Sequence, residues 1–154
     1  MNLQTMQRFN DNCLIFSAAM ILDMEPSKVL DLIGHDGTRR LWPDKPLPYC
    51  QRGFHIREII NVCNEFGFTL TPYDRYPVIS PDIDSPVHQI WDDKECERAF
   101  REVVRDRIGI MIMQGHACAW DGSMVYDPVG KVRDLGCYNP LSCWIRFRFH
   151  ETLT

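Results

Sequence analysis

Hydrophobic positions divide the chain into a helical first part and a strand-like last part. Residues 13–22 (CLIFSAAMIL) are apolar at nearly every position, which predicts a buried helix, with Asn12 or Asp11 as its N-terminal cap. A second helix should follow Pro26 and end at Gly34. Helical spacing of apolar residues therefore predicts four helices, over about 13–22, 27–33, 55–66 and 94–107.

Strand-like runs lie between and after these helices. FTLTPYD, which ends at Asp74, is typical of a strand, and four further runs follow the last helix: IGIMIMQ, GHACAW, SMVYDP and CWIRFRFH. Residues 34–53 and 74–91 are rich in Pro, Gly and charged residues and are expected to be long loops. The order predicts one α+β domain over residues 1–154, with a central N-terminal helix packed on an antiparallel sheet.

Charge and composition narrow the class of protein. The net charge is −4 and the pI is about 5.7, which disfavours a nucleic-acid or anionic-membrane partner. No apolar run approaches the roughly 20 residues of a membrane span, and the start MNLQTMQRFNDN lacks the pattern of a signal peptide. We therefore expect a cytoplasmic protein whose seven cysteines are free thiols.

Cysteine spacing does not indicate a structural zinc site. The chain has no Cys-x-x-Cys pair, and the closest spacings, Cys137 to Cys143 and Cys50 to His55, do not match common zinc-finger patterns. No cofactor and no metal are predicted, so the question becomes which cysteine is chemically distinct.

Cys13 stands at the start of the first predicted helix. Unpaired N–H groups at a helix N-terminus favour the thiolate, which is the nucleophilic form of cysteine. A packed core cysteine would also fit this position, and the pattern alone leaves both interpretations open.

His116 and Asp127 flank a predicted hairpin. Asp121-Gly122 is a strong signal for a two-residue turn. That turn would pair Trp120 with Ser123 and place His116 directly opposite Asp127, on the same face of the sheet. The carboxylate could then accept the imidazole N–H and hold the tautomer that a general base needs.

Gln7 lies six residues before Cys13. Acyl transfer through a thiol requires hydrogen-bond donors at the developing oxyanion. The Gln7 amide and the Cys13 backbone N–H could supply two, although a surface glutamine fits the position equally well.

Together, Gln7, Asn12-Cys13 opening an Ala-containing helix, Gly115-His116-Ala117 and Tyr126-Asp127-Pro128 resemble the papain-like cysteine peptidases. The resemblance is to the compact bacterial and phage branch related to the bacteriocin-leader-processing peptidases, and it covers about residues 5–35 and 108–130. It implies a papain-like fold and a peptide or protein substrate. It also implies Cys13 as nucleophile, His116 as general base and acid, Asp127 as orienting residue and Gln7 in the oxyanion hole.

Three functions stay open on these residues: a cysteine peptidase, a deamidase, amidase or acyltransferase with the same triad, and an inactive interaction protein. Trp120 is expected to be exposed near the site, and Cys118 to be a packed thiol on the face of His116. His35 is either part of a loop turn or a contact in a substrate groove.

Overall fold

The computed structural model describes residues 1–6, 12–79, 88–89 and 91–149. Within these residues the chain is an α+β structure, as predicted, with four helices, a six-stranded antiparallel sheet and a separate two-stranded ladder. The helices are α1 (Cys13–Leu22), α2 (Pro26–Ile33), α3 (Ile56–Glu65) and α4 (Asp93–Val104). The strands are β1 (Phe68–Asp74), β2 (Val78–Ile79), β3 (His88–Gln89), β4 (Gly109–Met113), β5 (His116–Trp120), β6 (Val125–Asp127), β7 (Lys131–Arg133) and β8 (Ser142–Arg148), with one 3₁₀ turn at Leu135–Cys137.

The main sheet has the strand order β1-β8-β4-β5-β6-β7. Strand β8 returns from the end of the chain to lie between β1 and β4, pairing Leu70 with Arg146 and Met111 with Cys143. Strands β4, β5 and β6 follow one another as a meander, and β7 is the exposed edge.

Helix α1 is buried against the sheet, as its apolar sequence predicts. Ala18 and Ala19 of α1 share one core cluster with Ala117 and Ala119 of β5, and all four side chains are at most 3% exposed. Since none of these side chains extends beyond Cβ, the helix can approach the strand closely. The start of α1 is thereby held beside β5.

The opposite face of the sheet carries a second apolar cluster. Phe100 and Val104 of α4 pack with Met111, Cys118 and Trp120. Residues of β4 and β5 therefore alternate between the two clusters. Successive side chains of a strand point to opposite faces of the sheet, and both faces are buried here.

Helix α4 ends earlier than its sequence predicts. Its last residue is Val104, not 107, because Arg105 is extended and Asp106 has a φ of 59°. The Asp106 N–H donates to the carbonyl of Gly122 at 2.9 Å. The helix therefore ends where the chain forms a hydrogen bond with the β5–β6 hairpin.

The bounds of α2 and α3 differ from the predictions by one residue. Helix α2 includes Pro26 as its first residue and ends before Gly34, which has a φ of 84°. His55 and Phe66 cap α3 instead of belonging to it. Asn12 is the N-cap of α1, but its side chain makes no capping hydrogen bond, and Asp11 lies outside the described residues.

Two short strand pairings were not predicted. Residues 74–91 were expected to be a loop, but β2 and β3 pair within them. Strand β7 was missed because all three of its side chains are exposed, so it shows no alternation of polar and apolar residues.

Trp120 is buried, so its predicted exposure is wrong. Its side chain is 4% exposed, and its indole N–H donates to the carbonyl of Val104 at 2.8 Å. The end of α4 covers the hairpin at this point.

None of the helices within the described ranges combines the length and the apolar character needed to cross a lipid bilayer.

Replacing Gly122 with Ala tests the contact between the hairpin and the end of α4. Gly122 has a φ of +99°, and an added Cβ would lie 2.8 Å from Asp106 Cα and 2.9 Å from Arg107 N. We expect Gly122→Ala to lower the free energy of unfolding by about 2–4 kcal/mol, from backbone strain and overlap together. Urea unfolding followed by tryptophan fluorescence measures this loss.

Gly67→Ala is the matched control for the strain alone. Gly67 has a φ of +80° and no atom within 4 Å of an added Cβ. We expect it to cost about 1 kcal/mol. Equal losses in the two variants would mean that the contact with Asp106 adds nothing.

Candidate active site

His116 and Asp127 lie in contact, as predicted. The imidazole Nε2 and the carboxylate Oδ1 are 2.8 Å apart. His116 begins β5 and keeps 28% of its side-chain surface exposed, whereas Asp127 ends β6 and keeps 8%. The arrangement resembles a base oriented by a buried carboxylate.

The turn that produces this contact is not the predicted one. Trp120 pairs with Val125, not with Ser123, so the turn has four residues instead of two. The Asp121 carboxylate accepts hydrogen bonds from the N–H groups of Ser123 at 2.8 Å and Met124 at 2.7 Å. These two hydrogen bonds stabilise the four-residue turn. The Asp-Gly signal for a two-residue turn takes no account of them.

The contact between His116 and Asp127 still forms, because the observed register of β5 and β6 differs from the predicted one by two residues. Continued along the strands, the observed pairing places Cys118, not His116, opposite Asp127. A shift of two keeps the side chains on the same face, so His116 becomes the diagonal neighbour of Asp127. Diagonal neighbours are about 7–8 Å apart at Cα, within reach of an imidazole and a carboxylate.

Further hydrogen bonds hold the Asp127 carboxylate. Its Oδ1 also accepts from the Val129 N–H at 3.1 Å, and its Oδ2 accepts from the Tyr138 hydroxyl at 3.0 Å. Burial alone would raise the pKa of Asp127, but the bonds from Val129, His116 and Tyr138 outweigh it and lower that pKa. Asp127 is therefore a carboxylate at neutral pH, with both oxygens bonded.

Tyr138 is a site residue that the sequence did not reveal. It follows the 3₁₀ turn, where its N–H donates to the carbonyl of Leu135 at 3.0 Å. Burial and the bond to Asp127 raise the pKa of Tyr138, so its hydroxyl keeps its proton and donates. Cys-Tyr-Asn-Pro has no periodicity or motif that would have identified this role.

Two cysteines lie beside His116. Hydrogen bonding with the thiols of Cys118 and Cys13 raises the pKa of His116, with Asp127 adding to the effect and burial opposing it. Because Nε2 faces Asp127, Nδ1 is the nitrogen left for the sulfur atoms. Cys13 is partly exposed at the start of α1, as a nucleophile must be.

Cys118 differs from Cys13 in its surroundings. Its side chain is fully buried, and burial raises the pKa of its thiol although His116 acts in the opposite direction. His116, Cys118 and Asp127 each offer a ligand atom, and these atoms lie within 4.8 Å of one another. The prediction that Cys118 is a packed thiol on the same face as His116 agrees with the structure.

Burial distinguishes Cys63 and Cys143 from Cys13. Burial raises the pKa of Cys63 to about 11 and that of Cys143 to about 12, which keeps both protonated. Cys50 and Cys96 are also buried, and Cys137 is exposed.

Gln7, predicted to help form the oxyanion hole, lies outside the described residues. Its place relative to Cys13 stays a prediction.

His35 belongs to a structural network. Its Nε2 lies 2.6 Å from Glu58 Oε1, and its Nδ1 accepts the Gly37 N–H at 3.0 Å. Glu58 also accepts the His55 N–H, as part of the capping box that begins α3. One nitrogen of His35 thus fastens the loop to α3 and the other bonds within the loop, in agreement with the loop interpretation.

Comparisons with protein-family models, curated proteins and solved structures find no match to this chain.

Replacing Tyr138 with Phe tests how the hydroxyl supports Asp127. Removing a hydrogen bond to a carboxylate should lower the free energy of unfolding by about 1–2 kcal/mol at pH 7. The lowered pKa of Asp127 stabilises the fold above the unfolded pKa of about 4, and this contribution is lost as pH falls through the folded pKa. The difference between wild type and Tyr138→Phe should therefore shrink towards zero in acid, as measured by urea unfolding at several pH values.

Tyr73→Phe is the control, because it removes a hydroxyl on β1, whereas the tyrosine that bonds to Asp127 is Tyr138. A Tyr138→Phe penalty that is constant from pH 7 to the acid limit would mean that the hydroxyl acts by packing alone.

Proposed function

We propose that this protein is a papain-like cysteine hydrolase that cleaves a peptide or related amide bond, with Cys13 as its nucleophile. The observation that carries the proposal is the His116–Asp127 hydrogen bond of 2.8 Å, together with the interaction of the Cys13 thiol with His116. The papain-like fold is supported by the chain order, in which a buried helix begins with the cysteine and an antiparallel sheet supplies the histidine and aspartate.

The proposed reaction begins with proton transfer. The raised pKa of His116 favours the proton on the imidazole and hence the thiolate on Cys13. The thiolate attacks the carbonyl carbon of the substrate, and the C–O electrons move onto oxygen to give a tetrahedral intermediate. His116 then donates its proton to the leaving nitrogen, the C–N bond breaks, and a thioester remains on Cys13.

Hydrolysis of the thioester completes the cycle. His116 removes a proton from water, the hydroxide attacks the thioester carbonyl, and the Cys13 sulfur leaves as a thiolate while His116 keeps the proton, which restores the starting pair. Asp127 keeps the imidazole in the tautomer with hydrogen on Nε2 during both steps. The Cys13 backbone N–H, at the start of α1, is the proposed oxyanion donor, together with Gln7.

Burial distinguishes Cys13 from Cys118 as nucleophile. Both thiols act on His116, but Cys118 is fully buried and a substrate carbonyl cannot reach its sulfur. Cys13 is partly exposed at the start of α1, where a substrate carbonyl can reach its sulfur.

Alkylation tests the thiolate–imidazole pair. We expect iodoacetamide to label Cys13 faster than the other six cysteines at pH 6, because His116 holds the proton that a free thiol would keep. His116→Ala should remove this advantage and shift rapid labelling of Cys13 to alkaline pH. Peptide mapping of the time course, with a chelator present, assigns each rate to its cysteine.

Cys137 is the internal reference, because it is an exposed thiol on the 3₁₀ turn, away from the start of α1. Its rate should be the same in wild type and in His116→Ala. If Cys13 reacts no faster than Cys137 at pH 6, the enzyme proposal is wrong and an interaction protein becomes the better hypothesis.

Product masses test the class of reaction. We expect the wild-type protein, incubated with a complex mixture of unmodified peptides, to generate new peptide termini, which Cys13→Ser should abolish. Mass spectrometry separates this result from a mass gain of about one unit on a Gln or Asn side chain, which would indicate a deamidase. An added amine would indicate an acyltransferase, and either result would overturn the peptidase assignment while retaining the thioester chemistry.

A further inference from the structure

The segment between β7 and β8 carries Tyr138, whose hydroxyl donates to Asp127, over the sheet face on which α4 packs. Locally, the Tyr138 N–H donates to the carbonyl of Leu135 within a 3₁₀ turn of three residues. So short a turn is a weak local structure. Contacts with other elements must therefore fix the place of the tyrosine side chain.

Arg75, the residue after β1, holds this segment beyond Tyr138. Its Nη1 donates to Asn139 Oδ1 at 2.5 Å, and its backbone N–H donates to the carbonyl of Leu141 at 2.9 Å. Leu141 in turn donates its own N–H to the carbonyl of Ile112 on β4 at 2.8 Å. Because Asn139 directly follows Tyr138, a bond at Asn139 restrains the backbone from which the tyrosine side chain extends.

Helix α4 fixes the guanidinium of Arg75 on its other side. Nη2 of Arg75 donates to Glu97 Oε2 at 2.9 Å, and Glu97 Oε1 accepts from Nε and Nη2 of Arg101 at 3.1 and 2.9 Å. The Arg75 side chain is only 11% exposed. Since a guanidinium is a rigid planar fork, its bond to Glu97 sets the direction of its bond to Asn139.

Arg75 and Tyr138 also line one small cavity, together with Phe100 and Leu135. The two residues are therefore neighbours in space, although Arg75 and Asn139 are 64 residues apart in the chain. No local sequence pattern connects them.

Stability alone does not account for an arginine at this position. Its Nε is buried and has no hydrogen-bond partner among the residues that the structure describes. Burying a charged group with an unbonded donor costs free energy, and an apolar side chain of similar volume would avoid that cost. A role in positioning other groups explains what stability does not.

We propose that Arg75 is a positioning residue of the candidate active site. Through Asn139, it keeps the Tyr138 hydroxyl on Asp127 Oδ2. The carboxylate is thereby held in the orientation in which Oδ1 bonds to His116. The consequence for catalysis rests on the proposed function, whereas the effect on Tyr138 and Asp127 does not.

A double-mutant cycle at pH 7 tests the coupling between Arg75 and Tyr138. Urea unfolding of the full chain measures the stability that Tyr138→Phe costs in the wild type and in Arg75→Met. We expect most of this cost to disappear in Arg75→Met, because the hydroxyl is no longer held on Asp127. Asn139→Ala changes an exposed residue and should have the same effect, so it replaces Arg75→Met if that variant folds poorly.

Gly67→Ala is the matched control for a loss of stability alone. Gly67 precedes the other end of β1, away from Arg75, and has a φ of +80°. Tyr138→Phe should cost as much stability in Gly67→Ala as in the wild type. A smaller cost there would mean that any destabilisation loosens the bond to Asp127, and the proposal would be wrong.

The titration of Asp127 is a readout that packing alone would not move. Burial raises the pKa of Asp127, and the bond from Tyr138 is one of the hydrogen bonds that outweigh it. Arg75→Met should raise this pKa by about 0.5–1 unit, the size of one lost hydrogen bond, and should add nothing in a Tyr138→Phe background. Carbon-13 NMR of the aspartate carboxyl groups measures the change.

Two results would overturn the proposal: an undiminished cost of Tyr138→Phe in Arg75→Met, or an unchanged pKa of Asp127. Neither measurement involves Cys13, so both are independent of the alkylation test of the hydrolase. Coupling between Arg75 and Tyr138 with an unactivated Cys13 would reject the hydrolase alone, and an activated Cys13 without the coupling would reject the role of Arg75 alone.

If Cys13 is activated, its alkylation supplies a third measurement. Arg75→Met and Tyr138→Phe should slow the labelling of Cys13 at pH 6 by the same factor, and the double variant should be no slower than either. A double variant that is slower than both would mean that Arg75 acts by a route other than Tyr138, which would also overturn the proposal.

Discussion

The close packing of α1 on β5 determines the positions of Cys13 and His116, on which the candidate site depends. Ala18 and Ala19 meet Ala117 and Ala119 in one fully apolar cluster, so the helix axis lies near the strand and cannot slide without opening cavities. Cys13 begins this helix and His116 begins this strand. The two reactive groups therefore need no contact of their own to hold them together, because the core beneath them does so.

The pleat of the sheet supplies the second half of the site. Turn chemistry at Asp121 lengthens the hairpin by two residues, yet His116 still meets Asp127, because side chains two residues apart lie on one face. A shift by one residue would have placed the carboxylate on the opposite face. The face of each residue was thus predictable from alternation, whereas the register depended on side-chain bonds within the turn.

Elements with strong periodicity could be predicted, and features made by distant contacts could not. The helix CLIFSAAMIL was predicted with its observed bounds because burial on all sides gives it a continuous apolar sequence. The early end of α4 and the burial of Trp120 both depend on contacts between α4 and the hairpin, at Gly122 and Val104. Tyr138 was missed for the same reason, since its bond to Asp127 joins residues that no local pattern connects.

The unequal burial of the two thiols explains how one imidazole can have two cysteine neighbours of which only one is accessible. Burial raises the pKa of Cys118, so its thiol stays protonated and Cys13 is left as the accessible neighbour of the imidazole. Asp127 orients the same imidazole through the hydrogen bond at Nε2, so the other side of the ring is the one left for a thiol.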